Sequence, residues 1–342
     1  MSFQLPKISV VTPTFNRCDE LEHLIYSINN QTLESKYFEL IICDDGSTDG
    51  TEQTIKDLLR NINFNLKYIF QKNSGPGKAR NNGVKSALGE LIIFTDSDCE
   101  AEKNWLENIY NAYLNENFDA FGGPDLAKDD FLPIQRAINY SMSSFFTTGG
   151  IRGHNKNMLT NFYPRTHNMG IKKDLFLKLG GFSTMRFGED IELSNRVHKE
   201  GAKVKLLDNV IVYHRRRTSY SKFFKQVYNS GVARINLGKR DSNMIKLVHI
   251  LPSIFTILSF IIFTFLFFTP YLSIMVISFF FFNLSFVSII GAISEKSLKL
   301  IPILFLIIPI QIYGYGIGFI VAFIKRYILK QNEFAGFLRN FY

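Results

Sequence analysis

Leu91-Ile92-Ile93-Phe94-Thr95-Asp96-Ser97-Asp98-Cys99 is the stretch on which the fold of this chain turns. Four apolar residues run through a threonine into two carboxylates set two apart, the pattern of a buried strand that ends at an acidic edge. Open α/β sheets bind ligands at the carboxyl ends of their strands, where acids at i and i+2 can serve one divalent cation, directly or through water. Asp and Ser are also ordinary turn residues, so taken alone the Asp-x-Asp describes a solvated turn equally well. Its surroundings have to decide.

Those surroundings fall into two regimes. The 342 residues are 46% hydrophobic and include 34 Phe, and from residue 246 onward only seven of 39 Lys/Arg and two of 30 Asp/Glu occur. What precedes is charge-mixed and long enough for a large core. The net charge of +9 comes with no Lys/Arg run interleaved with aromatics and no nucleic-acid module signature, so anionic lipid and a phosphorylated substrate are the expected counterparts, not nucleic acid. Cys18, Cys43 and Cys99 have neither metal-ligand spacing nor an even disulfide framework, which fits a reducing compartment. Met1 to Lys7 lacks a basic start followed by an apolar run, so the N-terminal domain is expected in the cytoplasm.

Ile8 to Thr12 reads as a first strand stopped by Pro13, which cannot donate to a central ladder. Leu21, Leu24, Ile25 and Ile28 carry helical spacing through Asp19 to Asn30. Phe38 to Cys43 is a second strand, running into Asp44-Asp45-Gly46-Ser47-Thr48-Asp49-Gly50 and a helix over Thr51 to Asn61. This alternation predicts a parallel sheet with right-handed crossovers. A third strand, Lys67 to Gln71, leads to Asn73-Ser74-Gly75-Pro76-Gly77-Lys78-Ala79-Arg80, which satisfies neither G-x-G-x-x-G nor G-x-x-x-x-G-K-[ST]. Lys78 and Arg80 at the start of the next helix (Ala79 to Leu88) point either to an anionic ligand or to a solvated loop. The strand Leu91 to Thr95 and a helix over Lys103 to Tyr113 follow, and further on a strand over Lys205 to Tyr213.

Ile8 to Asn16, Ile41 to Thr51, Gly75 to Gly83 and Phe94 to Asp98 together resemble the nucleotide-sugar-binding half of family 2 glycosyltransferases, inverting enzymes of GT-A fold. The resemblance continues through Thr166-His167-Asn168-Met169-Gly170, Leu179-Gly180-Gly181-Phe182 and Phe187-Gly188-Glu189-Asp190-Ile191, and spans roughly residues 6 to 235. Each piece is modest; their order and spacing are specific. The resemblance implies an α/β fold of the GT-A type with a Rossmann-like mixed sheet, followed by an α-helical membrane region. It implies that Thr12, Pro13 and Asn16 line the base and ribose pocket, that Asp45 or its neighbour Asp44 reads the base edge, and that Arg80 lies near the nucleotide. Asp96 and Asp98 look like the ribose- and metal-contacting pair, with Mg²⁺ or Mn²⁺ bridging the diphosphate. Asp44 and Asp49 can equally be Asx-turn or helix-cap residues.

Inverting transfer needs an acceptor hydroxyl made nucleophilic, an open anomeric carbon and a stabilised leaving group, and a carboxylate base typically contributes about 10²- to 10⁴-fold. Asp190 matches the family's base; by itself, Glu189-Asp190 would serve to complement a helix dipole. In His214-Arg215-Arg216-Arg217, His214 resembles a metal ligand and Arg217 or a neighbour a phosphate clamp, a task suited to arginine's forked donors, whereas a lone His is otherwise structural and three arginines a solvated or lipid-facing run. The Gln-x-x-Arg-Trp motif of processive synthases is missing, the sole Trp being Trp105. Thr147-Thr148-Gly149-Gly150-Ile151-Arg152-Gly153 reads either as an acceptor-side lid or as an ordinary surface loop.

The expected organisation is a catalytic domain over 1–217, an amphipathic interfacial or linker segment over 218–245, a transmembrane region over 246–324 and a basic tail over 325–342. Tyr220 to Asn236 suits either the bilayer interface or packing on the catalytic core. The spans 247–269, 271–293 and 300–324 contain no Asp, Glu, Lys or Arg and are each long enough to cross roughly 30 Å of hydrocarbon. Lys239, Arg240, Lys246, Lys296 and Lys299 favour a cytoplasmic side that three full crossings would deny to Lys325, Arg326, Lys330 and Arg339. Either the tail is external or one segment, such as the last with Pro302 and Pro309, is re-entrant. The expectation is a protein of the plasma membrane of a bacterium that moves one sugar from a nucleotide-diphospho-sugar donor to a lipid-linked or cell-surface glycan acceptor. The alternatives are a processive polysaccharide synthase and a non-catalytic sugar-nucleotide-binding membrane scaffold.

Overall fold

The computed structural model describes residues 6–128, 130–148 and 162–337. The described residues divide into two units, 6–128 with 162–215 and 130–148 with 216–337. Along the first unit come β1 (Ile8–Thr14), α1 (Cys18–Asn29), β2 (Phe38–Asp44), α2 (Thr51–Leu58), β3 (Asn65–Phe70), α3 (Pro76–Ser86), β4 (Leu91–Phe94), β5 (Cys99–Ala101), α4 (Trp105–Asn115), β6 (Ala120–Gly122) and β7 (Asp125–Leu126). The chain then contributes α5 (Pro133–Ser143) and α6 (Phe145–Thr148) to the second unit. It returns for β8 (Met169–Lys172), α7 (Lys173–Lys178), α8 (Glu189–Lys199), β9 (Val204–Leu206) and β10 (Val212–His214). The second unit is completed by α9 (Tyr220–Arg240), α10 (Leu247–Phe265), α11 (Pro270–Ser294) and α12 (Ile301–Phe323).

A seven-stranded sheet in the order β3-β2-β1-β4-β8-β6-β9 organises the first unit. The first four strands are parallel, whereas β8 runs antiparallel to both β4 and β6, so the sheet is mixed. Strand periodicity sorts the apolar residues into two layers. Ile8, Val10, Leu40, Ile42, Leu91 and Ile93 bury one face against Leu21 and Ile25 of α1 and Trp105 and Ile109 of α4. Val11, Ile41, Ile92 and Phe94 bury the other against Ala79 and Val84 of α3 and Leu193 and Val197 of α8. A second, three-stranded sheet, β5-β10-β7, includes β5, which follows the acidic end of β4 in sequence, and pairs His214 with Cys99.

Two sequence expectations are corrected here. β1 does not stop before Pro13 but continues to Thr14, with Pro13 opposite Cys43 of β2. Pairing with β4 ends at Val11, so beyond that point β1 has a ladder on one side only and a missing N–H costs nothing on the other. The run Lys205 to Tyr213 is not one strand. Asp208 and Asn209 occupy a turn closed by Val210 N–H donating to Leu207 O at 3.2 Å, which sends β9 to the large sheet and β10 to the small one.

In the second unit, α9 lays Phe223, Val227, Val232 and Ile235 into its apolar core, beside residues of α12. The backbones approach closely because glycine faces backbone on both sides. A Cβ at Gly231 would lie 2.2 Å from Tyr315 O, and one at Gly318 would lie 2.1 Å from Tyr228 O. Arg136 of α5 donates from Nε to Glu295 Oε2 at 3.3 Å, closing α5 onto the end of α11. Leu247–Phe265, Pro270–Ser294 and Leu298–Ile328 are each long and apolar enough to cross a membrane. Phe260, Phe263, Phe279 and Phe282 on these helices are exposed, as lipid-facing side chains would be.

Candidate active site

Burial of the Leu91–Phe94 strand delivers Asp96 and Asp98 to the sheet's edge. Asp96 Oδ1 accepts from Arg80 Nη2 at 2.6 Å, and Arg80 Nη1 donates to Glu189 Oε1 at 3.0 Å. Lys78 is exposed while Arg80, two positions on along α3, points inward and keeps 4% of its side chain exposed. Burial alone would lower the guanidinium pKa; the charges of Asp96 and Glu189 outweigh it and hold the group above its usual value. Burial, reinforced by Asp190, pushes the Glu189 carboxyl up against the pull of Arg80.

Asp190 follows Glu189 in the first turn of α8, after Gly188 at φ 80°. Its Oδ1 accepts from Ile191 N at 2.8 Å and its Oδ2 lies 3.2 Å from Arg165 Nε. Arg80 therefore ties the strand end carrying Asp96 to the helix start carrying Asp190.

Asp98 is 8% exposed and sits among cations and imidazoles. Arg17 Nη1 donates to its Oδ2. His214 Nε2 lies 3.3 Å from its Oδ1, while His214 Nδ1 lies 3.5 Å from Asp125 Oδ2. His167 Nε2 lies 3.6 Å from Asp125 Oδ1, and the two imidazole rings stack with centroids 5.2 Å apart. Asp98, Cys99 and His214, and separately Asp125, His167 and His214, are grouped closely enough to hold a metal ion. Carboxylate oxygen with imidazole nitrogen suits a divalent cation such as Mn²⁺, and suits Mg²⁺ less, since Mg²⁺ prefers oxygen throughout. His167 Nε2 is buried and has no hydrogen-bond partner among the described residues.

The carboxyl ends of β1 and β2 hold the remaining expected residues. The Thr12 and Thr14 hydroxyls are buried without hydrogen-bond partners among the described residues. Asn16, at φ 51°, donates from its backbone to Ser47 Oγ at 2.9 Å and accepts at Oδ1 from Thr48 N at 2.7 Å, joining the two loops. Asp44 accepts from Ser47 N and Tyr68 OH, each at 2.7 Å. Asp45 accepts from Ser74 N at 2.7 Å, and from Gly75 N and Gln71 Nε2, each at 2.8 Å. Asp49 accepts from Thr51 N at 3.2 Å and Cys18 N at 3.0 Å, stapling the starts of α1 and α2.

Arg217 belongs to the second unit, so its assignment as a phosphate clamp rests on resemblance alone. Gly149 to Gly153 of the expected lid, Arg339 and Met1 to Leu5 lie outside the described residues. Arg17, Glu189, Arg165, Asp125 and His167 join the cluster without having been assigned a ligand-binding role from sequence. His167 stood inside a quoted motif, as did Glu189. Asp125, flanked by Pro124 and Leu126, carried no signal at all.

A sequence model described as "Glycosyl transferase family 2" matches residues 9–180. Among curated proteins, "Glycosyltransferase AglE" of Haloferax volcanii is 22% identical over 253 residues, 70% of this chain and 77% of that protein. "GalNAc(5)-diNAcBac-PP-undecaprenol beta-1,3-glucosyltransferase" of Campylobacter jejuni is 41% identical over 98 residues, 28% of this chain and 31% of that protein. Among solved structures, the mannosyltransferase PcManGT from Pyrobaculum calidifontis, in complex with GDP-Man and Mn²⁺, shares the fold with a TM-score of 0.65 at 15% identity, over 96% of this chain and 89% of that one.

Proposed function

This chain belongs to glycosyl transferase family 2, and we propose that it is a membrane-anchored inverting enzyme that moves a single sugar from a nucleotide-diphospho-sugar to a lipid-linked or cell-surface glycan precursor. The observation that carries this reading is the bridge Asp96–Arg80–Glu189, which brings the Asp-x-Asp edge and the Glu189-Asp190 helix start into one cluster.

In this reading Thr12, Pro13, Asn16, Asp44 and Asp45 line the pocket for base and ribose, with Asp96 toward the ribose. Arg80 holds Asp96 and α8 in fixed relation and contributes positive charge near the nucleotide. Asp98 and His214 would hold Mg²⁺ or Mn²⁺. A cation held there would supply positive charge to offset that of the leaving nucleoside diphosphate. Asp190 takes the proton of the acceptor hydroxyl as its oxygen attacks the anomeric carbon; the bond to the diphosphate breaks on the opposite face, giving inversion. Arg165, 3.2 Å away at Nε, orients Asp190. Arg217 is kept as the phosphate clamp on resemblance alone.

The three apolar helices support action at a membrane, with the catalytic unit on the cytoplasmic side where Lys239, Arg240 and Lys246 precede the first of them. The Campylobacter relative is named for an undecaprenol-linked acceptor, which supports a polyprenyl-diphosphate glycan for this chain too.

The test is a screen of nucleotide sugars against the purified full chain with Mn²⁺, followed by D190N. The expected outcome is turnover of one donor by wild type, a loss of about 10²- to 10⁴-fold in D190N, and donor binding retained in both. Equal turnover by D190N would overturn the assignment of the base.

A further inference from the structure

His214 lies between two carboxylates. Its Nε2 is 3.3 Å from Asp98 Oδ1 and its Nδ1 is 3.5 Å from Asp125 Oδ2. A neutral imidazole carries one N–H, so the ring can offer a lone pair to one side and a proton to the other. Arg17 already supplies a cation to Asp98 through Oδ2. With the proton on Nδ1, facing Asp125, the Nε2 lone pair faces Asp98 Oδ1, so that nitrogen and oxygen present themselves as two ligands of one cation. With the proton on Nε2, that pair becomes a hydrogen bond and the nitrogen is lost as a ligand.

The surroundings fix Asp125 in place to make this choice. It opens β7, which pairs in parallel with β10, the strand that ends at His214. Asn168 Nδ2 donates to Pro124 O at 3.0 Å and to Val210 O at 2.8 Å, clamping the approaches to β7 and β10 together. Asn168 is itself held by Trp105 Nε1 at 3.0 Å on Oδ1. The neighbouring His167 stacks on the His214 ring at 30° between planes, restricting its rotation, and faces the other Asp125 oxygen.

We propose that Asp125 is a positioning residue that fixes the tautomer and orientation of His214, presenting Nε2 beside Asp98 as a metal ligand. This is the carboxylate–histidine–metal arrangement, in which the outer carboxylate sets which ring nitrogen is available. The inference rests on the metal-dependent reading of Asp98 and His214 given above. Asp125 touches neither donor nor acceptor in this role and acts through His214 alone.

Mn²⁺ binding to the full chain in detergent, followed without any sugar nucleotide by the electron paramagnetic resonance signal of free Mn²⁺, tests it. D125L removes the acceptor at similar size, and D125N keeps an oxygen that can accept from Nδ1–H. The expected result is an affinity loss of about 10- to 100-fold in D125L, with D125N within a few-fold of wild type. Donor turnover at saturating Mn²⁺ should be restored in D125L, since its deficit lies in metal affinity. Affinity in D125L equal to wild type, with binding strongly weakened in D98A, would overturn the role of Asp125 while sparing the metal reading. An equal loss in D125N and D125L would make the carboxylate a direct ligand and also overturn it. Wild type that binds no Mn²⁺ would overturn the metal reading and this inference together. Unchanged thermal melting of D125L, with D125N alongside, secures the comparison against misfolding.

Discussion

Arg80 Nη1 and Glu189 Oε1 meet at 3.0 Å although 109 residues separate them, and their side chains are only 4% and 9% exposed. The same guanidinium holds Asp96 from its other terminal nitrogen. A buried cation shared by two carboxylates can be removed only by leaving both acids uncompensated.

Replacing Arg80 with Ala is therefore expected to destabilise the first unit by about 3–5 kcal/mol, the cost of breaking a buried pair from one side. R80L/E189L should cost less than the sum of the two single changes, because the second substitution removes a charge the first left stranded. Unfolding in denaturant for the four proteins of the cycle measures this; strict additivity would show that the two side chains do not depend on one another.

Metal removal gives a second prediction. Chelation with EDTA should abolish donor turnover and added Mn²⁺ should restore it, with D98A requiring far more Mn²⁺ than wild type. Full activity in EDTA would remove the metal role from Asp98 and leave it as a partner of Arg17 and His214.

The dependence of stability on pH can be read at Asp119, whose Oδ2 accepts from Lys203 N at 2.9 Å and whose Oδ1 accepts from Lys172 Nζ at 3.0 Å. The backbone N–H of Lys203 leads, and these bonds lower the carboxyl below its usual 3.8 despite partial burial. A depressed carboxyl stabilises the fold above its unfolded pKa, and that contribution disappears as pH falls through the lower, folded value. D119N should thus be about 1 kcal/mol less stable at pH 7, after allowance for a partly exposed site, and the gap should close in acid. Melting curves of both proteins across pH 2 to 7, with a gap that persists unchanged in acid, would contradict it.

G231A tests the packing of α9 on α12. Its methyl would meet Tyr315 O at 2.2 Å and Phe319 N at 2.7 Å, both backbone atoms that cannot swing aside. A destabilisation of about 1–3 kcal/mol is expected from this overpacking. S230A, one residue away, removes only a hydroxyl bonded to Gln226 O within the same helix and should be nearly silent. Equal melting temperatures for G231A and S230A in detergent would argue against the close approach.

Local pattern was enough for the strands β1 to β4, the helices between them, the Asp-x-Asp edge and the three apolar spans, because each depends on side-chain periodicity within a few residues. It erred where the outcome depended on neighbours. Whether Pro13 could remain in β1 was settled by where β4 stops pairing, and Lys205 to Tyr213 split because two different sheets claimed its ends. The sequence by itself determined the family, the fold class and the identities of the acids at the sheet edge, since these are carried by short motifs in a fixed order. Only the tertiary structure decided that Arg80 joins Asp96 to Glu189 and that Asp125 and His167 surround His214. Such contacts between distant segments leave no periodicity in the chain; they exist only once the sheet has brought its strand ends together.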